Sequence, residues 1–148
     1  GMHEEIVAVT PEVEDDENEA IEVVTPATYY LKNGKHYIVY EEVVEGTSGV
    51  IKNRIKINGE ECVEIVKSGL SNSHMIFEKN KKNQTFYKTP YGQMLIGVNT
   101  RHLQVDFEED KIAVQIDYEL DVNHEPMADC KIRMNIVSKD SGKFSVLS

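Results

Sequence analysis

An all-β fold, arranged as one antiparallel and mostly up-and-down barrel of about eight to ten strands, is the architecture this 148-residue chain predicts. Three observations lead there. Apolar and polar side chains alternate with period two through most of the sequence, as they do on strands with one face against a core. Asn-Gly pairs and Gly-rich turns interrupt that alternation at short intervals. No segment sustains the 3.6-residue period of a helix. The clearest strand is 112–122, where Ile112, Val114, Ile116, Tyr118, Leu120 and Val122 alternate with Ala113, Gln115, Asp117, Glu119 and Asp121.

Gly1 before Met2 looks like a residue left by tag removal and is set aside. An amino-terminal strand is followed by an acidic run, 12–19, that reads as a loop, because residues 1–20 hold eight acids and no Lys or Arg. A strand over 20–32 passes through Asn33-Gly34 into 35–45, and Asn-Gly between alternating runs signals a hairpin because both central residues take positive φ. Gly46-Thr47-Ser48-Gly49 turns the chain into 50–57, and Asn58-Gly59 turns it into 61–68. Turns at 69–72 and 80–83 bracket a short strand. The next strand, around 85–88, ends at Thr89-Pro90-Tyr91-Gly92, where Pro holds the φ that the second residue of a type I turn needs. Residues 93–107 are too many for one ordinary straight strand, so a bend or bulge is expected at 99–101. Glu109-Asp110 closes a hairpin into 111–122. A loop at 123–128 containing Pro126 precedes a last strand with Ile132, Met134 and Ile136 on one face and Lys131, Arg133 and Asn135 on the other. Residues 139–148 read as an irregular tail.

Connections this short make neighbouring strands antiparallel. A meander of about ten strands exposes two edges unless it closes on itself, which favours a barrel. A two-sheet sandwich is the alternative, and it lacks the long connection that a Greek-key crossing needs.

Hydrophobic residues make up 40% of the chain, enough for one core and so for one domain over 2–148. The formal charge of −10 is concentrated at the start: residues 21–148 hold 18 acids against 16 bases, a net −2. That balance argues against nucleic acid or an anionic membrane as partner. Lys79, Lys81 and Lys82 form the one basic run, and their place in a hairpin reads as a solvated turn. No apolar run approaches the roughly 20 residues that span a bilayer, and the start lacks an export signal, so a cytoplasmic location is expected. Cys62 and Cys130 read as reduced thiols in or near the core. His3, His36, His74, His102 and His124 have no paired spacing, so no metal or cofactor is expected. GxSxG, HExxH, P-loop and GxGxxG motifs are absent. Asp117, Glu119 and Asp121 read as a solvated outer face.

One strand departs from the in/out rule. Along 35–45, Tyr37, Val39 and Val43 share a face with Glu41, while Ile38, Tyr40 and Val44 share the other with Glu42. One of these carboxylates therefore points into the barrel, where it needs a cation or donors. Lys67, on the face of Val63 and Ile65, is the candidate cation, whereas Arg54 aligns with Lys52 and Lys56 toward water. Tyr40, Glu42, Lys67 and Tyr118 then form the few polar groups of an otherwise apolar cavity, with Tyr91 near its rim. This constellation suggests a protein that binds a small, partly apolar ligand in or at the mouth of the barrel. The competing reading of the Glu/Lys pair is a structural salt bridge. The alternative function is a protein-interaction module with a side-chain-filled core, and strand-mediated dimerisation is open to an unclosed barrel. An enzyme using the Glu/Tyr/Lys group ranks third.

Landmarks in order along the chain resemble the bacterial YwiB-like family of unknown function: Tyr37-Ile38-Val39-Tyr40-Glu41-Glu42, Ile55-Lys56-Ile57, Val63-Glu64-Ile65-Val66-Lys67-Ser68-Gly69, Tyr87-Lys88-Thr89-Pro90-Tyr91-Gly92, Val98-Asn99-Thr100-Arg101-His102-Leu103 and Ile116-Asp117-Tyr118-Glu119-Leu120. The resemblance implies a calycin-like, lipocalin-like β-barrel in a small cytoplasmic protein of mainly Gram-positive bacteria, and it transfers no catalytic residue. At the position of Lys67 that family more often carries Arg, so no Arg-specific bidentate contact is implied here.

Overall fold

Asn and Gly turn the chain where the sequence places them, and what lies between is strand. The computed structural model describes residues 4–138 apart from 16, 17, 23 and 71. Within them run β1 (Glu4–Asp15), β2 (Asn18–Glu22), β3 (Thr25–Lys32), β4 (Lys35–Val43), β5 (Val50–Asn58), β6 (Cys62–Gly69), β7 (Ser73–Glu78), β8 (Lys82–Thr89), β9 (Gly92–Phe107), β10 (Lys111–Val122) and β11 (Glu125–Ser138). Asn33 and Gly34 both take positive φ, 52° and 76°, as a two-residue turn matching the strand twist requires.

All ladders are antiparallel, in the order β7-β6-β5-β4-β3-β1-β11-β10-β9-β8, with β2 added to β1. β3 to β11 follow one another as a meander, and β1 joins its two ends by pairing with both β11 and β3. The sheet thus curls into a barrel whose closure comes from the first and last strands. Its gap lies between β7 and β8, which are consecutive in sequence: among the described residues no ladder joins them. Among the described residues, the hydrogen bonds that tie them lie near their hairpin, where Lys81 N donates to Glu78 O (3.0 Å) and Asn83 Nδ2 donates to Ile76 O (3.2 Å).

The expected irregularity in the long strand is a β-bulge. Asp117 pairs with His102 and Tyr118 with Thr100, leaving Arg101 as the extra residue of β9. Its effect is to switch parity, so that Val98 and Thr100 above the bulge and Leu103 and Val105 below it are all buried. The lower and middle interior is filled by Ile38, Ile55, Ile57, Phe77, Ile116 and Ile136, which face one another from five strands with almost no exposure.

Two expectations are corrected. The acidic run is not a loop throughout: β1 continues to Asp15 and β2 begins at Asn18, and the two pair as a hairpin through Glu12↔Glu22 and Val13↔Ile21. Ladder hydrogen bonds on that strand outweigh the charge pattern. The loop at 123–128 shrinks to a turn at Asn123 and His124, both with positive φ, and Pro126 lies within β11. Pro is accommodated there because β11 bulges opposite Leu120 and Asp121, and because β1 pairs with β11 only from Arg133 onward. The tail at 139–148 lies outside the described residues.

Candidate functional site

Inward parity carries a row of side chains from the core to the gap. Tyr40, Asn53, Lys67 and Ser73 are directly opposite one another across β4, β5, β6 and β7. Glu42 lies two residues further along β4 on the same face. Of the two carboxylates in β4, Glu42 is therefore the inward one, while Glu41 is exposed opposite Lys52. Asn53 Nδ2 donates to Glu42 Oε1 at 2.5 Å, and Lys67 Nζ donates to the same oxygen at 3.2 Å. The pairing of Glu42 with Lys67 read from the sequence is thus formed, and both side chains remain partly open to solvent.

Asn53 is the member that sequence reasoning missed. It is fully buried, and its Oδ1 has no hydrogen-bond partner among the described residues. The signal was present, because Asn53 shares parity with Ile51, Ile55 and Ile57 and opposes the Lys52, Arg54, Lys56 face. Thr100, also buried with an unpartnered hydroxyl, was hidden by the bulge beside it.

Tyr40 is buried, and burial first, then the Glu42 charge, pushes its phenol up to about 12. Tyr118 belongs to the core instead of the mouth. Its ring meets Phe77 edge-on with centroids 4.9 Å apart, and burial together with the facing Cys130 thiol pushes its phenol well above the usual range. Tyr91 occupies the turn before β9, is 99% exposed, and is not among the residues that line the cleft or the groove described below.

Above the β7–β8 hairpin the gap opens into a cleft of about 240 Å³. Met75, Tyr87, Met94, Ile96 and Leu120 give it apolar walls, and Ser73, His74 and Thr85 stand at its edge. A more open groove of about 530 Å³ shares Ser73, His74, Thr85 and Tyr87 with the cleft and extends it to Lys67 and Lys88. The cation that holds Glu42 therefore stands where the apolar cleft meets solvent. Among the described residues no three His, Cys, Asp or Glu side chains come together to hold a metal ion, and both cysteines are free thiols.

The ladder of Asp117, Glu119 and Asp121 faces outward as expected, and its acids pair with Arg133, Arg101 and Lys82. Asp121 departs from the expectation of a solvated face, being only 4% exposed. The residue opposite it on β9 is Gly97, and the carboxylate lies over that missing side chain under the Lys82 stem. Lys82 is accordingly an ion-pair partner and not a freely solvated turn residue.

Comparison with known proteins agrees with this architecture. Residues 6–134 match the family described as Domain of unknown function (DUF1934). The chain is 32% identical over 114 residues to the uncharacterized beta-barrel protein YwiB of Bacillus subtilis (strain 168), covering 76% of this chain and 78% of that relative. The crystal structure of the YwiB protein from Bacillus subtilis superimposes with a TM-score of 0.68 at 24% identity, over 93% of this chain and 92% of that one, which speaks to the fold. A family match over most of the chain, a curated relative and a shared barrel lead to one assignment: the chain belongs to the DUF1934 family of β-barrel proteins.

Proposed function

We propose that the protein binds a small, partly apolar ligand at its upper mouth, with the apolar part in the cleft between β7 and β8 and the polar end beside Lys67 and Glu42. The observation that carries this reading is the gap itself. Among the described residues, neighbouring strands pair at every other step of the barrel path, and apolar space is left between these two, which a tight hairpin joins. Met75 and Met94 suit such a site, since their unbranched thioether chains adapt to irregular shapes. The rim has spare polar capacity: Lys67 gives Glu42 one of its three N–H donors, and Glu42 Oε2 has no partner among the described residues. The filled middle of the barrel limits the ligand to the gap and mouth, in contrast to a deep lipocalin-like calyx.

Native mass spectrometry of the protein purified from its own host tests the proposal. A bound metabolite is expected at one per chain, lost in the Ser73→Trp variant, whose indole fills the cleft while leaving the thermal transition in place. A ligand-free wild type that also fails to take up anilinonaphthalene sulfonate saturably overturns the reading.

A second reading rests on a separate observation. Val43, Leu70, Phe86, Tyr91 and Met127, carried by five different strands and turns toward the same end of the barrel, are all more than half exposed. Such a collection suits a protein partner or a second copy of this chain. Light scattering across a concentration series, with Val43→Asp and Leu70→Asp as controls, would register self-association.

A further inference from the structure

The opposite end of the barrel holds a second cavity of different chemistry, about 310 Å³ in volume. Three rings from three strands wall it: Tyr29 of β3, His36 of β4 and Phe107 at the end of β9. The rings stand in a tilted row, with centroids 5.8 Å apart for Tyr29 and His36 and 4.9 Å apart for His36 and Phe107. Tyr29 Oη and His36 Nδ1 are 2.7 Å apart and hydrogen-bonded, which fixes the orientation of the middle ring. Ile112 and Ile136 form an apolar floor.

The rim of this cavity is charged with one dominant sign. Glu108, Glu109 and Asp110 of the β9–β10 turn line it, against the single cation Lys111. None of the three carboxylates has an ion-pair partner among the described residues. The turn that carries them is held in place, because Glu108 N donates to Lys111 O and Ser138 N donates to Asp110 O, both at 2.8 Å. Aromatic faces attract a cation through their quadrupoles, and the attraction grows as water is excluded. Burial lowers the pKa of His36, so at neutral pH its ring is uncharged and does not repel a cation.

From the three-ring wall, the apolar floor and the surplus of unpaired carboxylates, we infer that this lower cavity is a binding site for a small organic ammonium ion. The rings and floor contact its alkyl groups, and the acidic turn supplies the counter-charge. The site is independent of the upper cleft, so either stands if the other fails.

Choline and dimethylbutanol, its uncharged carbon isostere, make the discriminating pair of probes on the full chain, followed through the aromatic NMR resonances of Tyr29, His36 and Phe107. Choline is expected to shift all three saturably, and the neutral isostere to bind at least about fivefold more weakly. Phe107→Leu, which keeps an apolar side chain at a partly exposed strand end, is expected to weaken choline at least about threefold, with Phe107→Trp restoring it. Equal binding of choline and the isostere overturns the inference, as does the absence of saturable shifts below about 50 mM choline. The probe comparison uses the wild-type chain and so does not depend on the variants folding.

Discussion

Replacing Gly97 by Ala tests whether a missing side chain is what buries Asp121. Gly97 lies in β9 directly opposite Asp121 of β10, without the positive φ that disfavours other residues. A Cβ placed there would fall on Asp121 Oδ1, well inside van der Waals contact, and 2.7 Å from Cγ. The carboxylate cannot stay, yet it is 4% exposed, and its Oδ2 is bound to Lys82 Nζ at 2.5 Å. Overpacking of this kind costs about 1–3 kcal/mol. Loosening the ion pair of a buried carboxylate adds to that, discounted because Lys82 itself is partly exposed. A total near 3 kcal/mol lowers Tm by about 6–12 °C at about 2–4 °C per kcal/mol for a chain of this size. In an Asp121→Ala background the obstruction is gone, apart from the flexible end of Lys82. There the same Gly97→Ala change is expected to be neutral or to stabilise by about 0.4–1 kcal/mol through the unfolded chain. Urea denaturation of the four proteins of this double-mutant cycle measures the coupling. An equal loss in both backgrounds refutes the packing argument.

Two further outcomes concern pH. Tyr40 has its pKa raised in the folded state to about 12 from 10.0, so its contribution is complete below pH 10 and is lost as pH rises through 12. The shift corresponds to about 2–3 kcal/mol. Glu42→Gln removes the second cause of the shift, so phenolate absorbance is expected to report a lower midpoint for Tyr40, and an unchanged midpoint contradicts the charge effect. Glu64 is opposed by burial, yet the hydrogen bond from His74 and the charge of Lys56 hold its pKa below 4.5. Its contribution is therefore present above that value and lost as pH falls through the lower, folded one. His74→Ala is expected to cost up to about 1 kcal/mol at neutral pH and to move acid unfolding to higher pH, followed by urea midpoints across the acid range.

What the sequence makes legible is whatever one strand and its turns decide locally. The alternation of 112–122 places Val114, Ile116 and Tyr118 on the inner face, and Asn33-Gly34 forms the turn its residue types demand. The bulge at Arg101 was legible because a strand of that length must bend somewhere. Glu42 was ambiguous because both faces of β4 are apolar, and only the neighbours across the sheet, Asn53 and Lys67, decide which carboxylate turns inward. The burial of Asp121 was illegible for a related reason, since its cause is a glycine on the neighbouring strand, 24 positions away in the chain. The gap between β7 and β8 is harder still to read. Hairpin neighbours ordinarily pair, and nothing within either segment signals that, among the described residues, no ladder joins these two. The same holds for Tyr29, His36 and Phe107, which meet only because β1 draws the two ends of the meander together.

Methyl NMR of the full chain, titrated with anilinonaphthalene sulfonate, addresses the ligand cleft most directly. Saturable shifts are expected at Met75, Met94, Ile96 and Leu120 in the gap, with Ile38, Ile57 and Met134 in the filled middle of the barrel unmoved. Shifts centred on those mid-barrel methyls, or no saturable shift in the gap, would contradict a binding site between β7 and β8.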